Sequence, residues 1–340
     1  MNRHFGTRPS HREDLMRRSR SHKLNLRVPL HSLITAAALL LLGPTCLAPP
    51  GWAQERAPKS SRQSFTSPEL AIDALVSSVR TGATGGVLKV LGPEAQRIVS
   101  SGDPTADQAA RERFLAAYDE GHQMTQEGDN RAVLIIGKDD FPFPIPLVRE
   151  GSAWHFDAQA GEEEILNRRI GKNELHAIEV MRAYVDAQRE YAEVDRDGHG
   201  VQYARKLVSS DGKKDGLSWP AAEGEPESPF GPLVAQARAE GYAARSGRPE
   251  PYHGYLFKIL TAQGKDAAGG AMDYVVAGRM IGGFGLVATP AEYGNSGVMT
   301  LIVNHDGIVF QKDLGPETSR IAAEMTVFNP DSGWIKVAGP

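Results

Sequence analysis

EEEILNRRIGKNELHAIEVMRAYVDAQREYAEV, residues 162–194, is strongly helical and nearly free of breakers. Ile178, Met181, Val185 and Ala192 fall on one apolar stripe, while Glu179, Arg182, Asp186 and Arg189 take the solvated side. Gly171 is expected to part a short linker helix from the main one. Glu162, Glu163 and Glu164 sit near the helix start, where carboxylates suit the helix dipole. The chain beyond residue 250 decides what the helix packs on. Tyr255–Thr261, Met272–Ala277, Phe284–Thr289, Val298–Asn304 and Ile308–Lys312 are β-rich runs separated by turn residues. Asp306-Gly307 between the last two is a hairpin signal. A long helix followed by an antiparallel meander is an α+β arrangement. The segment between them, 195–250, is rich in Gly, Asp, Pro and Ser and reads as loop, with a short helix near Leu233–Glu240.

Upstream, the same helix-then-strand order occurs once already. Ser67-Pro68 pairs an N-cap with proline at the first helical position, and Leu70, Ala74, Leu75 and Val79 form a helical face. Val87–Leu91 and Glu94–Val99 read as short helices, and Asp103-Pro104 starts a longer one through Tyr118. Arg131–Gly137, Phe141–Val148 and Ala153–Asp157 are strand-like. The expected organisation is therefore an N-terminal α+β domain over 65–160 and a second, helix-and-sheet domain over 161–340. Within the first, Phe141-Pro142-Phe143-Pro144-Ile145-Pro146 places prolines at every second position. That pattern removes N–H donors from one side of an extended chain, so it predicts a self-blocked edge strand. Phe141, Phe143 and Ile145 would share the core face.

The beginning of the chain carries a different kind of signal. Arg17, Arg18, Arg20, Lys23 and Arg27 precede the uncharged run Leu33–Leu42, and Gly51-Trp52-Ala53 gives an A-x-A-like stop before Gln54. The apolar run is too short for a spanning helix, which needs about 20 residues. Residues 1–53 are thus expected to be a cleaved export signal, with translation from Met1 or from Met16, and 54–64 a linker without fixed structure. Cys46 follows a poor lipobox, Gly43-Pro44-Thr45. The leader implies a bacterial periplasmic or secreted protein.

Of 38 basic and 42 acidic side chains, 8 and 2 lie before Gln54, which leaves 30 against 40 and a net charge of −10. That balance argues against nucleic acid and against anionic lipid surfaces as partners. Cys46 is the single cysteine, so the chain beyond the leader has no thiol for disulfides, Cys-ligated zinc, iron–sulfur clusters or thiol catalysis.

Motif-like stretches read as structure. Gly283-Phe284-Gly285-Leu286-Val287-Ala288 matches G-x-G-x-x-A, but Thr289-Pro290 comes next where a dinucleotide site needs a helix. Close strand packing accounts better for those glycines. Asp195-Arg196-Asp197-Gly198 opens like a calcium loop, yet the fifth and twelfth places hold His199 and Lys206. Glu174, His176 and Glu179 lie within two helical turns, where surface ion pairing is the expectation in the absence of H-E-x-x-H. Ser296 in Gly294-Asn295-Ser296-Gly297 lacks the last glycine of a nucleophile elbow. His253 and His305 both sit beside glycine at strand ends, where they could meet. No catalytic, cofactor-binding or metal-ligating residue is nominated, and no cofactor is implied.

Several blocks together resemble a known family. They are Ser101-Gly102-Asp103, Pro142–Val148, Trp154-His155-Phe156-Asp157, Arg168–Leu175, Gly254-Tyr255-Leu256-Phe257, Gly283-Phe284 and Tyr293–Val298. They resemble domain-of-unknown-function family 2950, exported bacterial proteins, over nearly the whole chain beyond the leader. The resemblance implies export and no activity. Asn173-Glu174, Ala177-Ile178, Ala187-Gln188, Tyr191, Asp215-Gly216-Leu217, Gly254-Tyr255, Phe257 and Asp306-Gly307 are also similar to the globular heads of type IV pilins and pseudopilins. That likeness implies a helix packed on an antiparallel sheet. The apolar polymerising helix of pilins is missing, since 160–172 is charged. The first domain is similar in element order to small NTF2-like or cystatin-like envelope modules. The expected function is a non-catalytic binding or interaction module of the cell envelope, with envelope proteins as partners. The alternatives are a hydrolase-type enzyme with a loop-built site, including His253 and His305, and an assembly factor for pilin-like partners.

Overall fold

A computed structural model describes residues 62–243 and 250–338, all within one compact unit. The expected leader and its expected cleavage site fall outside the described residues.

The first half opens with α1 (Pro68–Arg80), α2 (Thr84–Leu91), a 3-10 turn (Pro93–Ala95), α3 (Gln96–Val99) and α4 (Pro104–Glu120). The two cap-and-proline starts form as read. Ser67 Oγ accepts from Leu70 N at 3.3 Å, and Asp103 Oδ1 accepts from Ala106 N at 3.0 Å. The buried face of α1 is Ala71, Ile72, Leu75, Val76 and Val79, and Leu70 lies outside it, half exposed. Strands β1 (His122–Gln126), β2 (Arg131–Ile136), β3 (Phe141–Pro142), β4 (Leu147–Glu150) and β5 (Ala153–Phe156) form one antiparallel sheet in the order β1-β2-β4-β5, with β3 also on β2. β1, HQMTQ, has one apolar residue, Met124, and carries no alternation that would announce a strand.

The proline-rich stretch departs from the free-edge expectation. Ile136 pairs with Phe141, Ile135 with Pro142, and Phe143 N donates to Leu134 O, but the next pair on β2 is Ala132 with Leu147. Residues 144–146 therefore bulge out of the ladder. Their outer side is covered by a helix: a Cβ on Gly161 would come within 2.7 Å of Pro144 O. Ile145 is fully buried, whereas Phe141 is exposed, so the three apolar residues do not share one core face. Phe143 and Ile145 both pack on the core of the first half, and Phe141 alone lies off it.

α5 (Ala158–Tyr191) is one continuous helix of 34 residues, capped by Asp157, which accepts from Ala160 N. Gly171 does not interrupt it. It stands in open space with no neighbour that a side chain would meet. α6 (Gly231–Ala239) comes after the long loop. The last third then contains β6 (Tyr255–Leu260), β7 (Ala262–Gln263), β8 (Met272–Asp273), β9 (Val275–Val276), β10 (Arg279–Met280), β11 (Gly285–Pro290), β12 (Met299–Asn304), β13 (Phe310–Asp313), α7 (Thr318–Glu324), β14 (Val327–Phe328) and β15 (Ile335–Lys336). The main sheet runs β15-β13-β12-β11-β6 and its pairings are antiparallel. Asn304-His305-Asp306-Gly307 makes the expected turn, with Gly307 at φ 78° and its N–H on Asn304 O. The run Met272–Ala277 leaves this sheet and forms two small ladders of its own, β8 on β7 and β9 on β10. The fold class is α+β, with the long helix on a C-terminal meander.

Burial keeps to the strand period. Leu286, Ala288, Leu301 and Val303 face the cluster built on Met181, Tyr184 and Val185 of α5. Val287 and Ile302 face the opposite way and pack with Leu260 and Phe328. A separate cluster in the first half joins α1 and α2 to β2, β4 and β5 through Leu75, Val90, Leu134, Leu147 and Phe156. Tyr184 donates to Gly285 O at 3.1 Å, and Gln188, fully buried, binds Tyr184 and both backbone groups of Ala204. These bonds satisfy the buried amide and fasten the loop after α5 to it.

Candidate ligand cavity

α4 is a 17-residue helix with one buried residue, Tyr118. Towards the rest of the first half it presents Ala106, Ala109 and Ala110. Methyl groups do not reach the apolar residues of α1 and α2, and the helix stands over a cavity of about 830 Å³. Protein interiors are otherwise packed to crystal density, with few voids larger than a water molecule. Leu75, Val79, Val87, Leu91, Ile136 and Phe143 make its apolar wall. The volume lies within the range of small-molecule sites, which are mostly apolar with a few placed polar groups.

The polar groups come from α4, α5 and the segment entering β6. Arg169 donates from Nη1 to Arg97 O at 2.7 Å and Asn295 Oδ1 at 2.6 Å, and from Nη2 to Ile98 O at 2.6 Å. Burial holds its pKa below the ordinary guanidinium value, against the pull of Asp107 and Glu292. Asp107 accepts from Ser101 N on both oxygens at 3.1 Å. Burial raises its pKa, and the Ser101 hydrogen bonds and Arg169 oppose that. Asp103, almost fully buried, caps α4 with one oxygen and accepts with the other from Tyr242 Oη at 3.0 Å and Gly254 N at 2.8 Å. Tyr242 Oη in turn accepts from His253 N at 3.2 Å. Desolvation and the Asp103 charge push the Tyr242 phenol well above its usual value.

His253 takes a left-handed backbone conformation, φ 48°, and stacks on His176 of α5 with ring centroids 4.3 Å apart and planes 14° off parallel. Its Nε2 lies 2.9 Å from Glu240 Oε2, without the alignment of a hydrogen bond. Burial, then the neighbouring His176, keep the His253 pKa below the ordinary imidazole value, and Glu240 pulls the other way.

The other motif-like stretches find structural employment. His305 does not join His253; it packs edge-on between Tyr274 and Phe284. His176 Nδ1 lies 3.3 Å from Glu179, the expected helix-surface pair. Asp195 accepts from the N–H groups of Asp197, Gly198 and Gly200, and Asp197 from His199 N and Gln202, so both carboxylates close their own turn. Ser296 is fully buried, and its hydroxyl bonds Glu292 N and O within a turn. Gly283 and Gly285 are close-packing glycines: a Cβ on Gly283 would lie 2.7 Å from the His305 ring, and one on Gly285 would lie 3.2 Å from Val303 O.

Reading for catalytic motifs missed Arg169, Asp103, Tyr242 and Asn295. A signal existed for three of them. The blocks around Ser101–Asp103, Arg168–Leu175 and Tyr293–Val298 converge here, with Asn295 Nδ2 donating to Ser100 O at 2.8 Å and Asn173 to Ser296 O at 2.9 Å. Tyr242 carried none, since a lone tyrosine in a polar stretch has no pattern.

The family model described as Protein of unknown function (DUF2950) matches residues 62–337. No curated protein and no solved structure matches the chain. Among the described residues no helix is long and apolar enough to cross a membrane.

Proposed function

The chain belongs to the DUF2950 family of proteins of unknown function, and we propose from its own geometry that it is an exported cell-envelope module that binds an apolar ligand without transforming it. The observation that carries this reading is the cavity of about 830 Å³ under α4. Each methylene moved from water into such a site contributes about 0.8 kcal/mol before the costs of association. The buried polar groups at its edge support binding over catalysis. Arg169 and Asp103 are committed to main-chain and side-chain partners of the protein itself.

Export rests on the basic, apolar and small-residue order of residues 1–53. One experiment tests both parts. Protein recovered from the envelope fraction of an expressing bacterium is expected to begin at Gln54 and to enhance the fluorescence of an environment-sensitive apolar dye. Ala109→Trp fills the cavity and should abolish the enhancement while melting near the wild-type temperature. Wild-type protein that leaves the dye dark, or a variant that binds as well, would sink the binding reading.

A second reading has one observation behind it. His253 is half-buried, its pKa is held below the ordinary imidazole value by burial, and it lies 2.9 Å from the carboxylate of Glu240, beside a cavity. A general base needs such a setting. Hydrolysis of a model ester that disappears in His253→Ala would replace binding by catalysis.

A further inference from the structure

We infer that the occupant of this cavity is a single-chain amphiphile with an anionic head, a carboxylate or a phosphate monoester, whose chain lies along the apolar wall and whose head sits between α4 and α5. This rests on the binding reading and adds the chemistry of the head.

The charges that border the cavity are unevenly signed. Asp107 of α4 lies in the field of Arg169 of α5, so the α4 stripe through Asp107 faces α5. Arg111 is one turn further along that stripe, and Phe114 and Tyr118 continue it, with Phe114 packed on Phe143 at 5.3 Å. On α5, Arg168, Arg169, Lys172 and His176 border the same space. The cations that line this space are Arg111, Arg113, Arg168, Arg169 and Lys172, with Arg113 the exposed one on α4, and the anions are Asp107 and Glu240. In a chain whose net charge beyond the leader is −10, this is a local reversal of sign.

Two of the five cations are already committed. Arg168 pairs with Glu164 and lies over the Phe141 ring, 5.0 Å from its centroid. Arg169 holds the carbonyls of Arg97 and Ile98. Arg111 and Lys172 have no hydrogen-bonded or ion-paired partner among the described residues, and they come from the two helices that flank the opening. Arginine and lysine with an apolar stem and a charged end suit a site whose floor is apolar and whose mouth is wet. An arginine fork and an ammonium suit oxyanions, and a cationic head would meet like charge there. The stacked His176 and His253 rings border the same space and offer ring nitrogens that can bond the head.

The test compares dodecanoate, dodecyl phosphate, dodecanol and dodecyltrimethylammonium by displacement of a cavity-bound dye from the purified full protein at low salt. At least one of the two anions is expected to bind ten-fold or more tightly than the alcohol, with a preference that shrinks as salt is raised. The ammonium compound should bind more weakly than the alcohol. Between the anions, the tighter one identifies a fatty-acid-like or a phosphate-headed ligand. In Arg111→Gln combined with Lys172→Gln the anion-to-alcohol ratio should fall to about two or below, with the melting temperature retained. Equal displacement by all four compounds would overturn the anionic head and leave the apolar-cavity reading standing. Displacement by none would overturn that reading itself. An anion preference that survives the double substitution would move the head away from Arg111 and Lys172 and overturn the placement.

Discussion

His253 shows how one side chain can be held in place by its backbone. It and Gly254 both lie at positive φ, 48° and 75°, and a Cβ on residue 254 would collide with the Asn173 side chain and reach 3.0 Å from Ser296. The chain turns sharply here because glycine permits the approach. The turn points Gly254 N at Asp103 and lays the imidazole on His176. The groups facing that imidazole are His176 and Glu179 on α5, Glu240 after α6, Lys172, and Asp103 beyond the Tyr242 hydroxyl. Because the folded pKa is depressed, the unfolded chain takes up a proton first as pH falls below about 6.5, the ordinary imidazole value. Stability is then full above that value and declines as pH drops towards the folded pKa, by about 1.4 kcal/mol for each pH unit between the two values. His155, buried beside Arg62, is depressed in the same direction. Melting temperatures at pH 7.5 and 5.5 should therefore differ, and the difference should shrink without vanishing in His253→Asn, since asparagine tolerates the left-handed backbone. An unchanged difference would mean that the fold does not depress the His253 pKa.

At the scale of elements, α5 is the member that runs through both halves. Its first turns close the proline bulge of the first sheet, its middle carries the arginines and histidine at the cavity, and its last turns pack under the meander. Two of its glycines separate propensity from packing. Gly171 faces open space, so Gly171→Ala should stabilise by about 0.5–1 kcal/mol through helix propensity alone. Gly161 is buried with Pro144 O and Ile145 against it, and the new methyl of Gly161→Ala would meet main chain that has no side-chain freedom to yield. The cost of overpacking, about 1–3 kcal/mol, then outweighs the propensity gain. Urea midpoints for the two variants should move in opposite directions. A stabilised Gly161→Ala would mean that the bulge is free to retreat from the helix.

For the whole molecule, the arrangement is three hydrophobic clusters, two of them lined by α5, with polar bonds where the halves meet. The larger cluster, with its two-sided sheet, lies wholly within 161–340. A fragment of 161–340 is expected to fold cooperatively and to melt below the intact protein, because Arg169, Asn295 and Gly254 lose Ile98, Ser100 and Asp103. Limited proteolysis of the full chain should cut first within 195–250. A fragment without a cooperative transition would make the two halves one folding unit.

Everything set by neighbours within a few residues is legible in the chain alone. The caps at Ser67 and Asp103, the period of α5, four of the five expected runs of the meander and the Asp306-Gly307 turn come from local hydrogen bonding and side-chain spacing, and they stand in the fold. The departures share one cause. Gly171 reads as a break because glycine weakens an isolated helix, but packing on both sides of it carries α5 through. β1 has no apolar alternation and exists because β2 offers it an edge to pair with. The proline stretch reads as a free edge, and only the approach of Gly161 shows that it is covered. His253 and His305 are equivalent in local sequence, yet the first meets His176 across the fold and the second meets Tyr274. The cavity is the extreme case. Alanines on α4 and apolar residues on α1, α2 and the sheet each look like ordinary core, and a void arises only from how far apart the tertiary fold sets them. Distances between elements come from long-range packing, which no local pattern in the chain encodes.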